Sequence, residues 1–296
     1  MKKRILVTGT QSYLGTSFEQ YMKNYDSKLS DEEAWNVVFV SVRDDEWKKQ
    51  DLAEYDVILH VAGIVHRKEE PGMEQLYYDV NTKLTKELAQ KAKEDAAKCN
   101  KKMQFVFLST MSVYGIVSGR ITAQTAPAPT NFYGKSKLEA EQAVQDLEND
   151  QFVVSIVRPP MIYGKACTGN YRLLEKLARK IPVFPKVKNE RSMLYVDNLC
   201  EFLRLAIEKE ASGVFCPQNK EYVNTSKMVA AIRKSYGKGG ATVPGFGWLL
   251  KLLAGKITLF SKVFGTLTYN KEMSVYPELG NYQIIDFGES INGSKQ

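Results

Sequence analysis

Short runs of apolar, largely β-branched residues recur near 4–8, 36–42, 56–61, 104–109 and 152–158, and none of them alternates strictly with polar positions. Continuous runs of this length mark strands buried on both faces. Helical periodicity fills the intervals, near 14–24, 72–98, 131–149, 170–180, 196–208 and 225–236. Strands alternating with helices in this order predict an α/β fold built on a doubly wound parallel sheet. One interval breaks the rhythm. Only about a dozen residues separate Arg43 from Asp56, too few for a crossover helix and a further full strand. The helix is therefore expected to be missing there, and the third strand short or lost.

The chain of 296 residues is long enough for one large unit with an appended lobe. Residues 1–160, with 190–215 returning to them, are expected to form a dinucleotide-binding body, and 161–296 a mostly substrate-binding lobe interleaved with it. The basic start runs straight into the first strand, so no secretory leader is expected. Cys99, Cys167, Cys200 and Cys216 show no paired spacing, and His60 and His66 are too few for a zinc site. Together these predict a reducing, cytoplasmic setting without a metal. The net charge of +7 suits a cleft for phosphate-bearing ligands. Nucleic acid is not expected, because the lysines are scattered along helices and not set among aromatic platforms. The apolar stretch 248–264 carries three lysines and no acid. It is too interrupted to span a bilayer and suits a membrane surface, a lid or an oligomer contact.

Candidate chemistry begins at the N-terminus. Ile5-Leu6-Val7-Thr8 runs into Gly9, and Gly15 follows six residues later at the start of a helix. A strand, a glycine turn and a helix N-terminus together present unpaired amides and the positive end of a dipole to an anion, which suits a pyrophosphate. Ser12 stands where the usual pattern has its middle glycine. Further along, Tyr133 and Lys137 lie four residues apart and so share one helix face. Beside a nicotinamide such a pair is an acid–base device, the ammonium favouring the tyrosinate. Thr110, at the end of the strand near 104–109, is placed to share the same substrate oxygen.

These segments resemble the extended short-chain dehydrogenase/reductases, specifically their nucleotide-sugar epimerase/dehydratase/4-reductase group. The resemblance also rests on Asp56-Val57-Ile58-Leu59-His60-Val61-Ala62-Gly63, Asp79-Val80-Asn81, Arg158-Pro159-Pro160-Met161-Ile162-Tyr163-Gly164 and Arg191-Ser192-Met193-Leu194-Tyr195-Val196-Asp197, in family order. It implies a Rossmann-type sheet, a terminal strand over 282–287, and catalysis by Thr110, Tyr133 and Lys137. For the cofactor it implies a turn of Gly9, Gln11, Ser12, Tyr13, Leu14 and Gly15. It adds Asp51 and Leu52 at the adenine, Val61, Ala62 and Gly63 beside the nicotinamide ribose, and Asn81 and Pro159 nearby. On the substrate side it implies Thr110, Met111, Ser112, Met161, Lys165, Asn170 with Tyr171, and Arg191 on a diphosphate. Family members commonly form homodimers through the helix that carries the Tyr–Lys pair.

Three departures refine what the resemblance implies. Ser41 replaces the acid that holds the adenine ribose in NAD-using relatives, and Arg43 follows, so the choice between NAD and NADP leans slightly to NADP. Met111 and Ser112 replace the acidic pair of sugar dehydratases, which argues against dehydration. Met161 replaces an asparagine common in 4-epimerases, which leaves room for a sugar diphosphate joined to a polyprenol lipid in place of a nucleoside. The expected activity is a nucleotide-sugar 4-epimerase of the UDP-hexose type. An NADPH-dependent 4-ketoreductase is its close competitor, and a non-catalytic dinucleotide sensor stands behind both.

Overall fold

The computed structural model describes residues 2–27, 34–65, 70–244 and 265–295. Strands β1 (Arg4–Thr8), β2 (Asn36–Val40), β3 (Val57–His60), β4 (Met103–Leu108), β6 (Phe152–Val157) and β10 (Gly213–Phe215) form one sheet in the order β10-β6-β4-β3-β1-β2. Every neighbour pair is parallel, with Ile5 opposite Val57 and Phe105 opposite Val154. Smaller parallel pairs join β5 (Gly119–Ile121) to β12 (Leu267–Tyr269), β7 (Met161–Tyr163) to β9 (Met193–Tyr195), and β8 (Val183–Pro185) to β11 (Ala241–Val243).

Helices cover both faces, which is why the strands read as continuous apolar runs. On one face Ile5, Val7, Leu59 and Val106 pack with Phe18 and Met22 of α1 (Tyr13–Asp26) and Leu199 and Phe202 of α6 (Val196–Glu208). On the other, Leu6, Ile58, Phe105 and Ile156 meet Leu88 and Ala92 of α3 (Leu84–Lys98) and Ala140 and Val144 of α4 (Phe132–Gln145). The expected long helix from 72 is present but broken: α2 (Met73–Tyr77) passes through a π-helical turn, Tyr78–Lys83, before α3 resumes. Among the described residues the remaining helices are α5 (Asn170–Lys180), α7 (Thr225–Ser235) and α8 (Phe287–Gly293).

The short interval after β2 holds two 3-10 turns, Asp45–Lys49 and Leu52–Glu54, and no strand. Trp47 (2% exposed) and Leu52 (0%) pack against Val40, Val42 and Ile58, so two side chains cover sheet area that a crossover helix would otherwise bury. The expected strand over 282–287 is absent. Asn198 takes both backbone groups of Ile285, accepting from its N–H at 2.9 Å and donating to its carbonyl at 3.0 Å. The backbone polarity that a neighbouring strand would satisfy is thus met by one side chain. Asp286 then caps α8. The segment 248–264 and His66 lie outside the described residues. All four cysteines are free, and no helix among the described residues is long and apolar enough to cross a membrane.

Trp47→Ala is expected to lower the unfolding free energy by roughly 3–5 kcal/mol in denaturant titration, the usual cost of emptying a buried aromatic site. A loss below about 1 kcal/mol would mean that Trp47 does not stand in for the missing helix.

Candidate active site

The β1–α1 turn lies where the strand order reverses around β1 and β3, the position at which open α/β sheets take ligands. Gly9 adopts φ +89°, a region costly for other residues. Ser12 caps α1, its hydroxyl accepting from the Gly15 amide at 3.1 Å. A Cβ on Gly15 would lie 2.5 Å from that hydroxyl, 3.0 Å from Val7 and 3.1 Å from the Phe39 ring, so only glycine lets α1 approach the sheet this closely. Gln11 is exposed, Ser12 half-buried and Leu14 buried. The Tyr13 ring packs inward, and its hydroxyl is buried without a hydrogen-bond partner among the described residues. Ser41 follows β2, its hydroxyl accepting from the Arg43 amide at 3.4 Å, and the Arg43 side chain is exposed. Asp51 uses its carboxylate to cap the turn at Ala53, and Leu52 sits in the core.

At the end of β4, Thr110 caps the 3-10 turn Met111–Tyr114, accepting from the Ser112 amide at 3.1 Å. Asn131 caps α4 and sets Tyr133 in its first turn, with Lys137 one turn on. The Thr110 hydroxyl hydrogen-bonds Tyr133, which opposes the larger effect of burial; the phenol is still pushed up to about 12. Lys137 donates to the Leu108 carbonyl at 2.8 Å and stands 4.4 Å from the centre of the Phe107 ring. Burial pulls its ammonium down to about 7, against the opposing charge of Glu141. A Cβ on Gly63 would meet Lys137 Nζ at 3.4 Å and Asn81 Oδ1 at 2.9 Å, so the glycine makes room for both. The expected downward pull of lysine on tyrosine is therefore not what these side chains show. Desolvation acts on each toward its neutral form, which raises a phenol and lowers an ammonium.

Two buried polar networks hold this pair, and the sequence reading assigned neither. Glu141 (1% exposed), one further turn along α4, accepts from Arg158 Nε at 3.0 Å and Nη2 at 2.5 Å, and from the Ser109 hydroxyl in a short contact. Arg158 also donates to the Tyr114 hydroxyl at 2.9 Å. The i+4 spacing from Lys137 was the available signal for Glu141. On the other side, Asn81 accepts from the Ile64 amide (2.8 Å) and donates to the Ile64 carbonyl (3.2 Å) and the Ser136 hydroxyl (3.0 Å). It thus ties the turn of Val61, Ala62 and Gly63 to α4. His60 bridges Thr8 (2.8 Å) and Thr85 (2.9 Å). Thr85 gives its proton to the Asn81 carbonyl at 2.7 Å, so it accepts from His60 Nε2–H, and His60 Nδ1 accepts from Thr8. Burial pushes His60 down to about 3, which keeps it neutral in this role. Thr8 in turn accepts from the Val61 and Ala62 amides, both at 3.2 Å.

Met111 is buried, Ser112 half-buried, and Pro159 accepts from the Met111 amide at 3.0 Å. Met161 is half-buried on β7 and Lys165 is exposed; Asn170 begins α5. Tyr171 is not a pocket residue: it is 1% exposed, with its ring 5.4 Å from that of Tyr163 in the core. Arg191 is buried, donates to the Gly265 carbonyl at 2.9 Å, and keeps Nε without a partner among the described residues. A cavity of roughly 610 Å³ opens beside its chain neighbours, lined by Lys186, Lys188, Asn189, Ser226, Lys227 and Thr266 among others. None of the sequence-predicted site residues lines it.

The sequence model of the NAD dependent epimerase/dehydratase family matches residues 5–217. An N-acetyl-alpha-D-glucosaminyl-diphospho-ditrans,octacis-undecaprenol 4-epimerase of Escherichia coli O157:H7 is 28% identical over 251 residues, 80% of this chain and 74% of that one. A UDP-glucose 4-epimerase of Vibrio cholerae is 28% identical over 294 residues, 90% and 87% of the two chains. The crystal structure of a UDP-glucuronic acid 4-epimerase from Bacillus cereus, in complex with UDP-glucuronic acid and NAD, superposes with a TM-score of 0.71 at 20% identity, covering 98% of this chain and 97% of that one.

Lys137 binds its proton more tightly when unfolded than when folded. Raising the pH from about 7 toward the ordinary lysine value therefore favours the folded chain. Relative to Lys137→Met, the wild type should gain on the order of 5 kcal/mol across that window in unfolding titrations. A pH-independent difference would contradict the burial of an ionisable ammonium.

Proposed function

Because the chain belongs to the NAD dependent epimerase/dehydratase family, we propose that it is an NAD(P)-dependent 4-epimerase of a hexose carried on a diphosphate, of the UDP-hexose type. The observation that carries this reading is the Thr110–Tyr133 hydrogen bond with Lys137 one turn away, at the end of β4 and next to the Gly63 turn. The cradle of Gly9, Ser12 and Gly15 fits a dinucleotide: its capped helix start faces the switch point, and a Cβ on Gly15 would collide. In this reading the residues of that turn hold the pyrophosphate and the Val61–Gly63 turn borders the nicotinamide ribose. A bound dinucleotide would supply reversible hydride transfer at C4 of the sugar.

The protein's own residues manage the proton. Thr110 orients the C4 oxygen, and Tyr133 takes its proton as the ketone forms and gives it back on the return. Lys137 supplies the positive charge that makes tyrosinate accessible once it is protonated beside a polar ligand. The two networks keep Ser109, Thr110 and the α4 face from shifting as the sugar turns over. Arg191 takes the diphosphate, with its Nε, which has no partner among the described residues, as the observation in favour. Met111 and Ser112 offer no acid for dehydration. The body up to about residue 160, with 190–215, serves the cofactor, while the segments 161–195 and 216–275 shape the sugar site. The E. coli relative acts, by its name, on a polyprenol-linked sugar, and the same diphosphate contact would suit that donor here.

A second reading, an NADPH-dependent 4-ketoreductase, is favoured by one observation. Ser41 follows β2 where an adenine-ribose acid would stand, and the exposed Arg43 beside it suits a 2′-phosphate.

Protein purified without added cofactor should release near-stoichiometric dinucleotide on denaturation, because an epimerase restores its cofactor within each turnover. An empty protein that takes up NADPH would instead support the reductase. Tyr133→Phe should lower turnover by roughly 10²–10⁴-fold while leaving dinucleotide binding within a few fold, as read by kinetics and by titration of the bound cofactor. A variant with wild-type turnover would remove Tyr133 from the mechanism.

A further inference from the structure

The solvent face of α5 is cationic throughout. From Tyr171 onward its exposed positions are Arg172, Lys176, Arg179 and Lys180. At 100° per residue these four lie within a quarter to a third of the helix circumference. The inward face is Tyr171, Leu174, Glu175 and Ala178, and the one acid there is 2% exposed and accepts from the Tyr236 hydroxyl. None of the four cations is ion-paired to a carboxylate among the described residues. Lys238, at the end of α7, adds a further charge and donates to the Arg179 carbonyl at 2.9 Å.

Helix stability accounts for only half of this. Arg179 and Lys180 complement the negative end of the helix dipole, but Arg172 stands in the first turn, where positive charge is disfavoured. Next to the cations runs an apolar row. Leu173 and Leu177 are half-buried, and the row continues past the helix end with the exposed Ile181 (38% exposed) and Val183 (47%). The Arg179 guanidinium lies over the Tyr236 ring, 4.6 Å from its centre, and the cation row as a whole, flanked by aliphatic side chains, matches the chemistry of an anionic bilayer surface: phosphates outside, acyl chains just beneath. A nucleic acid would pair with the charges but would gain nothing from Leu177, Ile181 and Val183.

We propose that the α5–β8 face docks the protein on an anionic phospholipid membrane. This surface is defined by charge and exposure, independently of which sugar the enzyme uses.

The test is co-sedimentation of the full chain with vesicles of phosphatidylglycerol and phosphatidylcholine, and with vesicles of phosphatidylcholine alone. Wild-type protein should bind only the anionic vesicles, and more weakly as salt is raised. Lys176→Glu/Lys180→Glu should weaken binding by at least about 25-fold, at about five-fold per lost cation. Lys49→Glu/Lys86→Glu, which changes the net charge equally on the α3 side of the sheet, should bind within a few fold of wild type. Melting temperatures close to wild type establish that both variants fold. Absence of wild-type binding overturns the proposal. So does full binding by Lys176→Glu/Lys180→Glu, which would place the contact elsewhere in the chain, and so does equal weakening of both variants. Displacement by duplex DNA at matched phosphate concentration also overturns it, in favour of a general polyanion surface.

Discussion

A lysine ammonium held inside the protein, with a carbonyl and an aromatic ring as its nearest partners, is the constraint around which the active-site end of this sheet is arranged. An ammonium in such a place is costly unless oriented dipoles and charge surround it. Lys137 has the Leu108 carbonyl, the Phe107 ring and, one turn away, the carboxylate of Glu141. Glu141 in turn is buried only because Arg158 and Ser109 saturate it. Removing any member leaves a buried polar group without its partner, so the ends of β4 and β6 and the face of α4 are fixed together.

The second network does the corresponding work on the other side of the pair. His60 is neutral and of one tautomer, and through Thr8 it holds the amides of Val61 and Ala62. Asn81 holds the next residues of that turn against Ser136. The π-helical turn around Asn81 gives the local irregularity a reason: its amide reaches Ile64 and Ser136 from a helix that then resumes as α3. Backbone groups near the proposed nicotinamide position are thus set by buried side chains and not by loop contacts alone, which is the preorganisation that proton and hydride chemistry requires.

Much of the fold was legible because its signals are local. Buried parallel strands need uninterrupted apolar runs, and the limits of β1, β3, β4 and β6 follow those runs to within a residue or two. The short interval after Arg43 left no length for a crossover helix, and chain length is a constraint that packing cannot alter. The segment 282–287 misled for the opposite reason. The family resemblance implied a strand there, but Asn198, far away in sequence, satisfies Ile285, and Asp286 starts a helix instead. Tyr171 was drawn into the pocket by its chain neighbours, whereas helical phase turns it into the core.

The sequence by itself determined the strand and helix order, the glycine turn before α1, and the Tyr–Lys spacing that puts both residues on one face of α4. These depend on residues close along the chain, whose geometry is set by backbone sterics and helical period. Only the tertiary structure decided the protonation of that pair. Desolvation of Tyr133 and Lys137, with the Thr110 hydroxyl brought to the phenol from the end of β4, sets a balance of charge that no spacing records. Desolvation depends on everything packed around a group, and that is known only once the chain has folded.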